Sequence, residues 1–288
     1  MPKHRSEYQY RVNATGITIP AADTTAYFDV AYLETVESPI DKFFIKIRDL
    51  NLLNTKIDSV TMFTADLKKT QNNLILLGYV SASESYFREL IRQLIVIDRR
   101  SRLASENQML TFGAAIHYSK ELLPEALLEN CSFASKKNII DAFKDFLGLK
   151  GHTPQEVEKV LSEFEKICQL RHCIVHRFGK LGSNNAIKFG LESHLDCLEK
   201  PLVLNINQLY QVYQICENTI LVINDHLYKR IMIRTLEPDI SDWSWDLLKD
   251  KNKFEKYYSL FASLQKPPMP VSSATEAYNK LREYKNSL

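Results

Sequence analysis

The sequence predicts an all-α fold, and three observations carry that prediction. Apolar residues recur at helical spacing over long segments, from about Lys56 to Asp98, Ser135 to Leu147, Thr153 to Arg177 and Asn205 to Met232. Only 8 of the 288 residues are glycine, too few for a sheet-rich fold with many tight turns. No proline interrupts the stretch from Lys56 to Asp98, where one would remove a helical hydrogen bond and clash with the preceding turn. Four or five such helices joined by short links make a bundle.

Composition bounds the class. Hydrophobic residues are 45% and charged residues 25% of the chain, ordinary values for a globular protein with a full-sized core. The formal net charge is +2, so any binding of nucleic acid must come from a local basic patch. Cysteines stand at 131, 168, 173, 197 and 216 with no C-x-x-C pair, as expected for reduced thiols of a cytoplasmic protein. No apolar stretch follows Met1-Pro2-Lys3-His4-Arg5, and the longest clean apolar run, Leu74 to Val80, is too short to cross a bilayer. A soluble cytoplasmic chain with no membrane partner is expected. Its organisation is read as an N-terminal extension (1–55), a helical bundle (56–235) and an aromatic-rich C-terminal helical extension (236–288).

Taken in order, Val12 to Ile19 and Ala26 to Val30 alternate weakly and fit a strand or an extended arm equally well. Ser38-Pro39-Ile40-Asp41 is a helix start, followed by Phe43, Phe44, Ile47, Leu50 and Leu53 at helical spacing. One or two long helices follow to Asp98. Asp98-Arg99-Arg100-Ser101-Arg102 closes that segment, either as a solvated helix C-terminus favoured by the macrodipole or as a phosphate-contacting rim. Met109 to Leu123 is helical and stops at Pro124. Ser135 to Leu147 is amphipathic and ends at Gly148, which suits a left-handed helix cap.

The next helix opens with Thr153 as N-cap, Pro154 at the first helical position and Glu156 placed to bond back to the cap. Val157, Val160, Leu161, Phe164, Ile167 and Cys168 form its core stripe, and Arg171 takes the next place on it. A guanidinium there needs a partner or a cleft, because an unpaired buried charge is costly. The helix closes on Arg171-His172-Cys173-Ile174-Val175-His176-Arg177. His172 and His176, four apart, share a face. Arg171 and His176 are five apart, roughly 140° around an ideal helix. They clasp one ligand only if the last turn distorts or a second subunit contributes.

Gly179 to Pro201 is polar and aperiodic, a long loop with a short hairpin at Ala186 to Leu191, able to lie over a cleft. Asn205 to Met232 is a second strong helix. Past Pro238, Trp243, Trp245, Phe254, Tyr257 and Tyr258 stand among Lys249, Lys251, Lys253 and Lys256. Such a pattern can stack bases, but packing of the aromatics on the bundle is the favoured expectation. Lys266-Pro267-Pro268-Met269-Pro270 is a stiff break, and Ala274 to Lys285 a short polar helix.

Arg171-His172-x-x-x-His176 resembles the R-x4-H motif of HEPN domains, in which a polar residue commonly follows the arginine. Ser83 to Leu90 resembles the early bundle helix of the same family, and the resemblance extends over about residues 60 to 235. It implies an all-α bundle with the motif near the end of a long helix, and a homodimer that brings two motifs to one cleft. It also implies metal-independent endoribonuclease activity in an antiviral-defence, abortive-infection or toxin–antitoxin setting, with RNA and an antitoxin or defence-system protein as partners. In that chemistry RNA supplies its own nucleophile, the 2′-OH. His176 would serve as acid/base or substrate-orienting group and Arg171 would hold the scissile phosphate. His172 would support them, and Arg177 and Lys180 would be outer RNA-binding contacts. Products would carry a 2′,3′-cyclic phosphate.

Against this stand plainer assignments: Arg171 as a salt-bridge arginine, and the histidines as a polar helix end. Cys168, His172 and His176 lie at i, i+4 and i+8 and could hold zinc. No fourth ligand is evident and the glutamate of H-E-x-x-H is missing, so neither metal nor cofactor is expected. The chain lacks G-x-S-x-G, a Gly-rich phosphate loop and a dinucleotide fingerprint, which leaves serine hydrolases, kinases and dehydrogenases unsupported. The remaining alternative is a non-catalytic helical module that binds nucleotide or protein.

Overall fold

The structure, a computed structural model, describes residues 22–58, 64–239, 241–265 and 273–288. Every regular element among them is helical. The chain divides into two units, residues 1–36 and 37–288. In the first, a single 3-10 turn (Thr24–Tyr27) is capped by the Asp23 carboxylate, which accepts from Thr25 N at 3.1 Å. That turn replaces the strand or arm expected at Ala26 to Val30; Val12 to Ile19 lies outside the described residues.

The second unit begins with α1 (Pro39–Asp58) and α2 (Ala65–Ile97), then α3 (Arg99–Ser105), α4 (Phe112–His117), α5 (Leu123–Leu127) and α6 (Lys136–Leu147). It continues through α7 (Gln155–Arg177), α8 (Ser183–Phe189), α9 (Leu191–His194), α10 (Ile206–Arg234), α11 (Leu247–Phe261) and α12 (Ala274–Asn286). Contacts group residues 37–55 with the helices that follow them. The reason is close packing of α1 on α2: a Cβ at Gly78 would stand 2.7 Å from Leu50 Cδ2.

The 33-residue α2 is the axis of the bundle, with α1, α3, α6, α7 and α10 packed on it. Leu76, Val80, Leu90 and Leu94 on α2 are fully buried, as are Leu161 and Phe164 on α7 and Cys216, Ile220 and Leu227 on α10. Phe87 marks the centre. Its ring lies 5.5 Å from Tyr86, 5.9 Å from Phe133, 6.2 Å from Phe164 and 6.3 Å from Phe143. Aromatic contacts of this kind add about 0.5–1.5 kcal/mol per pair beyond area burial.

Local signals placed several helix ends correctly. Ser38 Oγ accepts from Asp41 N at 3.2 Å, and Ser135 caps α6, which ends on Gly148 at φ 64°. Others were redirected by tertiary structure. Asp98 does close α2, its N–H donating to Leu94 O at 2.8 Å, but no basic residue stands in that last turn. It is the N-cap of α3, accepting from Ser101 N at 2.7 Å, so Arg99 and Arg100 open a helix. Arg100 is paired with Glu237 and Asp239, each at 2.7 Å. Pro124 stops nothing: it stands in the first turn of α5, where a proline's missing N–H costs least, and only the short α4 precedes it.

The C-terminal aromatics are packed. Trp243 is buried among Trp245, Phe254, Tyr257 and Tyr278, and Lys253 Nζ lies 3.9 Å above its ring. Asp250, buried on α11, organises the segment: it accepts from Ser244 N (3.0 Å), Trp245 N (2.8 Å) and Tyr278 Oη (2.6 Å). Burial alone raises the Asp250 carboxyl, but these hydrogen bonds outweigh it and hold it below the usual carboxylate range. Asp250→Ala leaves two backbone N–H groups and a phenol without their partner, so urea denaturation should show a loss of about 2–4 kcal/mol. A depressed folded value means the contribution is present above the unfolded carboxyl value and is lost as pH falls through the folded one. The variant should therefore lose less stability than the wild type on acidification below about pH 4.

Candidate functional site

The Arg/His cluster, Arg171 to Arg177, occupies about the last two turns of α7. The start of that helix differs by one residue from expectation: Pro154 is the cap position, with no side-chain capping bond, and the helix begins at Gln155. Pro154 holds extended backbone (φ −58°, ψ 146°), which leaves Thr153 outside and its hydroxyl free of capping duty. The far end is held tightly. Phe178 takes a left-handed conformation (φ 51°), uncommon for a bulky residue. Gly179 N then donates to Cys173 O at 3.0 Å. Lys180 forms an antiparallel bridge with Pro201, and Leu181 exchanges backbone hydrogen bonds with Lys200 and Glu199.

Beyond this bridge the expected loop with a hairpin at 186–191 is instead two short helices, α8 and α9, and a 3-10 turn (Leu195–Cys197). Their cause is tertiary. Ala186 is fully buried, and the buried Asn185 donates to Gln169 Oε1 at 3.0 Å, which docks α8 onto α7.

At the exposed surface of α7, His172 and His176 stack edge-on, ring centroids 4.3 Å apart and planes at 71°. Burial first, then the charges or dipoles of His176, Lys188 and Arg171, pull His172 below the ordinary imidazole value. Lys188 comes from α8, and the sequence pattern had no means of placing it here. Lys188→Gln should raise the His172 pKa towards the ordinary imidazole range, read by NMR titration of the ring protons. A value unmoved would show that Lys188 is not felt.

Arg171 is half-buried, and among the described residues it forms no ion pair. The plain salt-bridge assignment therefore has no acid to stand on. Helix α7 runs unbroken through Arg177, so Arg171 and His176 keep the roughly 140° separation of a regular helix. One chain does not set them side by side. Arg177 is engaged: its Nη2 meets both Glu199 oxygens at 2.6 and 2.7 Å, and its guanidinium lies over Gly182. Lys180 is exposed.

The cysteine is not part of this surface. Cys168 is buried in the core, and burial drives its thiol far up, whereas both imidazoles are exposed. Among the described residues no group of three His, Cys, Asp or Glu is arranged to hold a metal ion. Nor is any described helix long and apolar enough to cross a membrane.

Comparison with protein-family models, curated proteins and solved structures finds no match to this chain. Its function therefore rests on the site itself.

Proposed function

We propose that the chain is a metal-independent endoribonuclease of the HEPN type, acting on RNA in a defence or toxin setting. The observation that carries this reading is the exposed, stacked His172–His176 pair, with the cation Lys188 acting on His172 and the uncommitted Arg171 on the same end of α7. A stacked imidazole pair near fixed positive charge suits removal of the 2′-OH proton and stabilisation of charge gathering on the scissile phosphate. His176 takes the acid/base role, Arg171 the phosphate, and His172 orients its neighbour. Arg177 is bound to Glu199, so in this proposal its contact with RNA requires that exposed pair to open, at a cost of about 0–1 kcal/mol.

The regular helix between Arg171 and His176 favours a composite site, with Arg171 of one copy serving His176 of another in a homodimer. The same geometry supports the runner-up, a non-catalytic helical module binding nucleotide or protein, if the chain acts alone. Incubation of the purified chain with total RNA and with tRNA in EDTA, with analysis of product ends, separates the two. Cutting that leaves 2′,3′-cyclic phosphates supports the nuclease. A soluble dimer that leaves RNA intact favours the binding module.

A further inference from the structure

A second cluster of cations lies at the other end of α7, whose first residue, Gln155, stands roughly 26 Å along the helix from His172 at 1.5 Å per residue. There α6 stops at Gly148, and the loop to α7 folds against α10, with Arg230 Nη2 donating to Lys150 O at 3.0 Å. A cavity of about 30 Å³ opens between them, room for the centres of a few waters and so for one small oxyanion. Lys144, Lys150 and Arg230 line it with His152, His226 and the hydroxyl-bearing Thr153, and its floor is apolar, including Phe143 and Val157. Among the described residues no carboxylate lines it.

Such a cluster is unfavourable by itself. Like charges gathered around an apolar floor repel, and Arg230 is partly withdrawn from water while Lys144 and Lys150 stay exposed. Counter-charges stand outside the cavity: Asp141 is 3.7 Å from Lys144 on the same helix, Asp145 lines the adjoining cleft, and Glu156 in the first turn of α7 acts on His226. Their influence is outweighed, since burial together with Arg230 and Lys229 pulls His226 below the ordinary imidazole value. The start of α7 has no side-chain cap, which leaves backbone N–H groups beside the cavity. Lys144 and Lys150 also line an adjoining cleft of about 610 Å³, whose walls include Leu103, Ala104 and Asn107 together with the carboxylates Asp145 and Glu237. That volume is within the range of small-molecule sites.

We propose that this cavity is a phosphate-binding site for a small phosphate-bearing ligand. The phosphate sits among Lys144, Lys150 and Arg230, and the body of the ligand extends into the adjoining cleft. Three cations and a hydroxyl match a tetrahedral dianion with several acceptor oxygens better than they match chloride or a lone carboxylate.

The test is isothermal titration calorimetry of the full chain with inorganic phosphate and with adenosine 5′-monophosphate, at ionic strength held constant with chloride. Saturable binding to one site is expected. In the Lys144→Gln/Lys150→Gln variant, its fold checked by circular dichroism, affinity should fall by about tenfold or more, whereas Lys280→Gln on α12, outside both sites, should bind as the wild type does. Tighter binding of the nucleotide than of phosphate assigns the body of the ligand to the cleft. Equal binding assigns the phosphate group alone. In the wild type, NMR should show the His152 and His226 ring protons shifting as phosphate is added, a readout that needs no variant. No saturable binding of either probe, equal binding by the lysine variant, or ring protons that stay still would overturn the proposal.

Discussion

His176→Ala should lower RNA cleavage by about 10²–10⁴-fold, the range lost when a positioned general acid or base is removed. The side chain is exposed at the end of α7, so the variant should stay folded. Circular dichroism checks this. Arg171→Ala removes a cation without a partner among the described residues and should cost about 10²–10³-fold, the scale of one lost contact to a developing negative charge. A composite site adds a sharper expectation. Mixing the two inactive variants should restore part of the activity, because a heterodimer pairs an intact Arg171 with an intact His176. Cleavage by His176→Ala at the wild-type rate would remove the site altogether.

The largest stability effect should come from Asp98→Ala. Asp98 is 1% exposed and Arg234 7% exposed. Asp98 Oδ2 accepts from Arg234 Nη2 at 2.5 Å and from Ser101 N at 2.7 Å, and its Oδ1 faces Tyr257 Oη at 3.3 Å. Arg234 also donates to Ser101 Oγ at 2.8 Å and to Leu147 O. The pair thus ties the junction of α2 and α3 to the ends of α6 and α10 and to α11. Removing the carboxylate strands a buried guanidinium, which costs about 3–5 kcal/mol. For a unit of this size that is a fall in Tm of roughly 6–20 °C by calorimetry. The double variant Asp98→Ala/Arg234→Met removes the stranded charge and should recover part of the loss. A single variant that melts with the wild type would show that the network contributes nothing.

Much of this architecture was legible in the chain. Helices α2, α6, α7 and α10 announce themselves because a buried stripe recurs every three to four residues, a property of each segment alone. The Arg/His cluster was legible for the same reason: its members are neighbours in sequence, and helical spacing puts His172 and His176 on one face, where the rings do stack. The short elements were not. Helix α8 has seven residues, below the length at which an isolated helix holds together, and it exists because Ala186 and Asn185 dock onto α7. Lys188 reaches His172 only through that docking, and Asp98 becomes a helix cap with a buried partner only because Arg234 arrives from the end of α10. The sequence alone therefore determined which segments are helical and which residues share a face. The tertiary structure decided which charges meet, since periodicity is local while an ion pair joins residues more than a hundred positions apart.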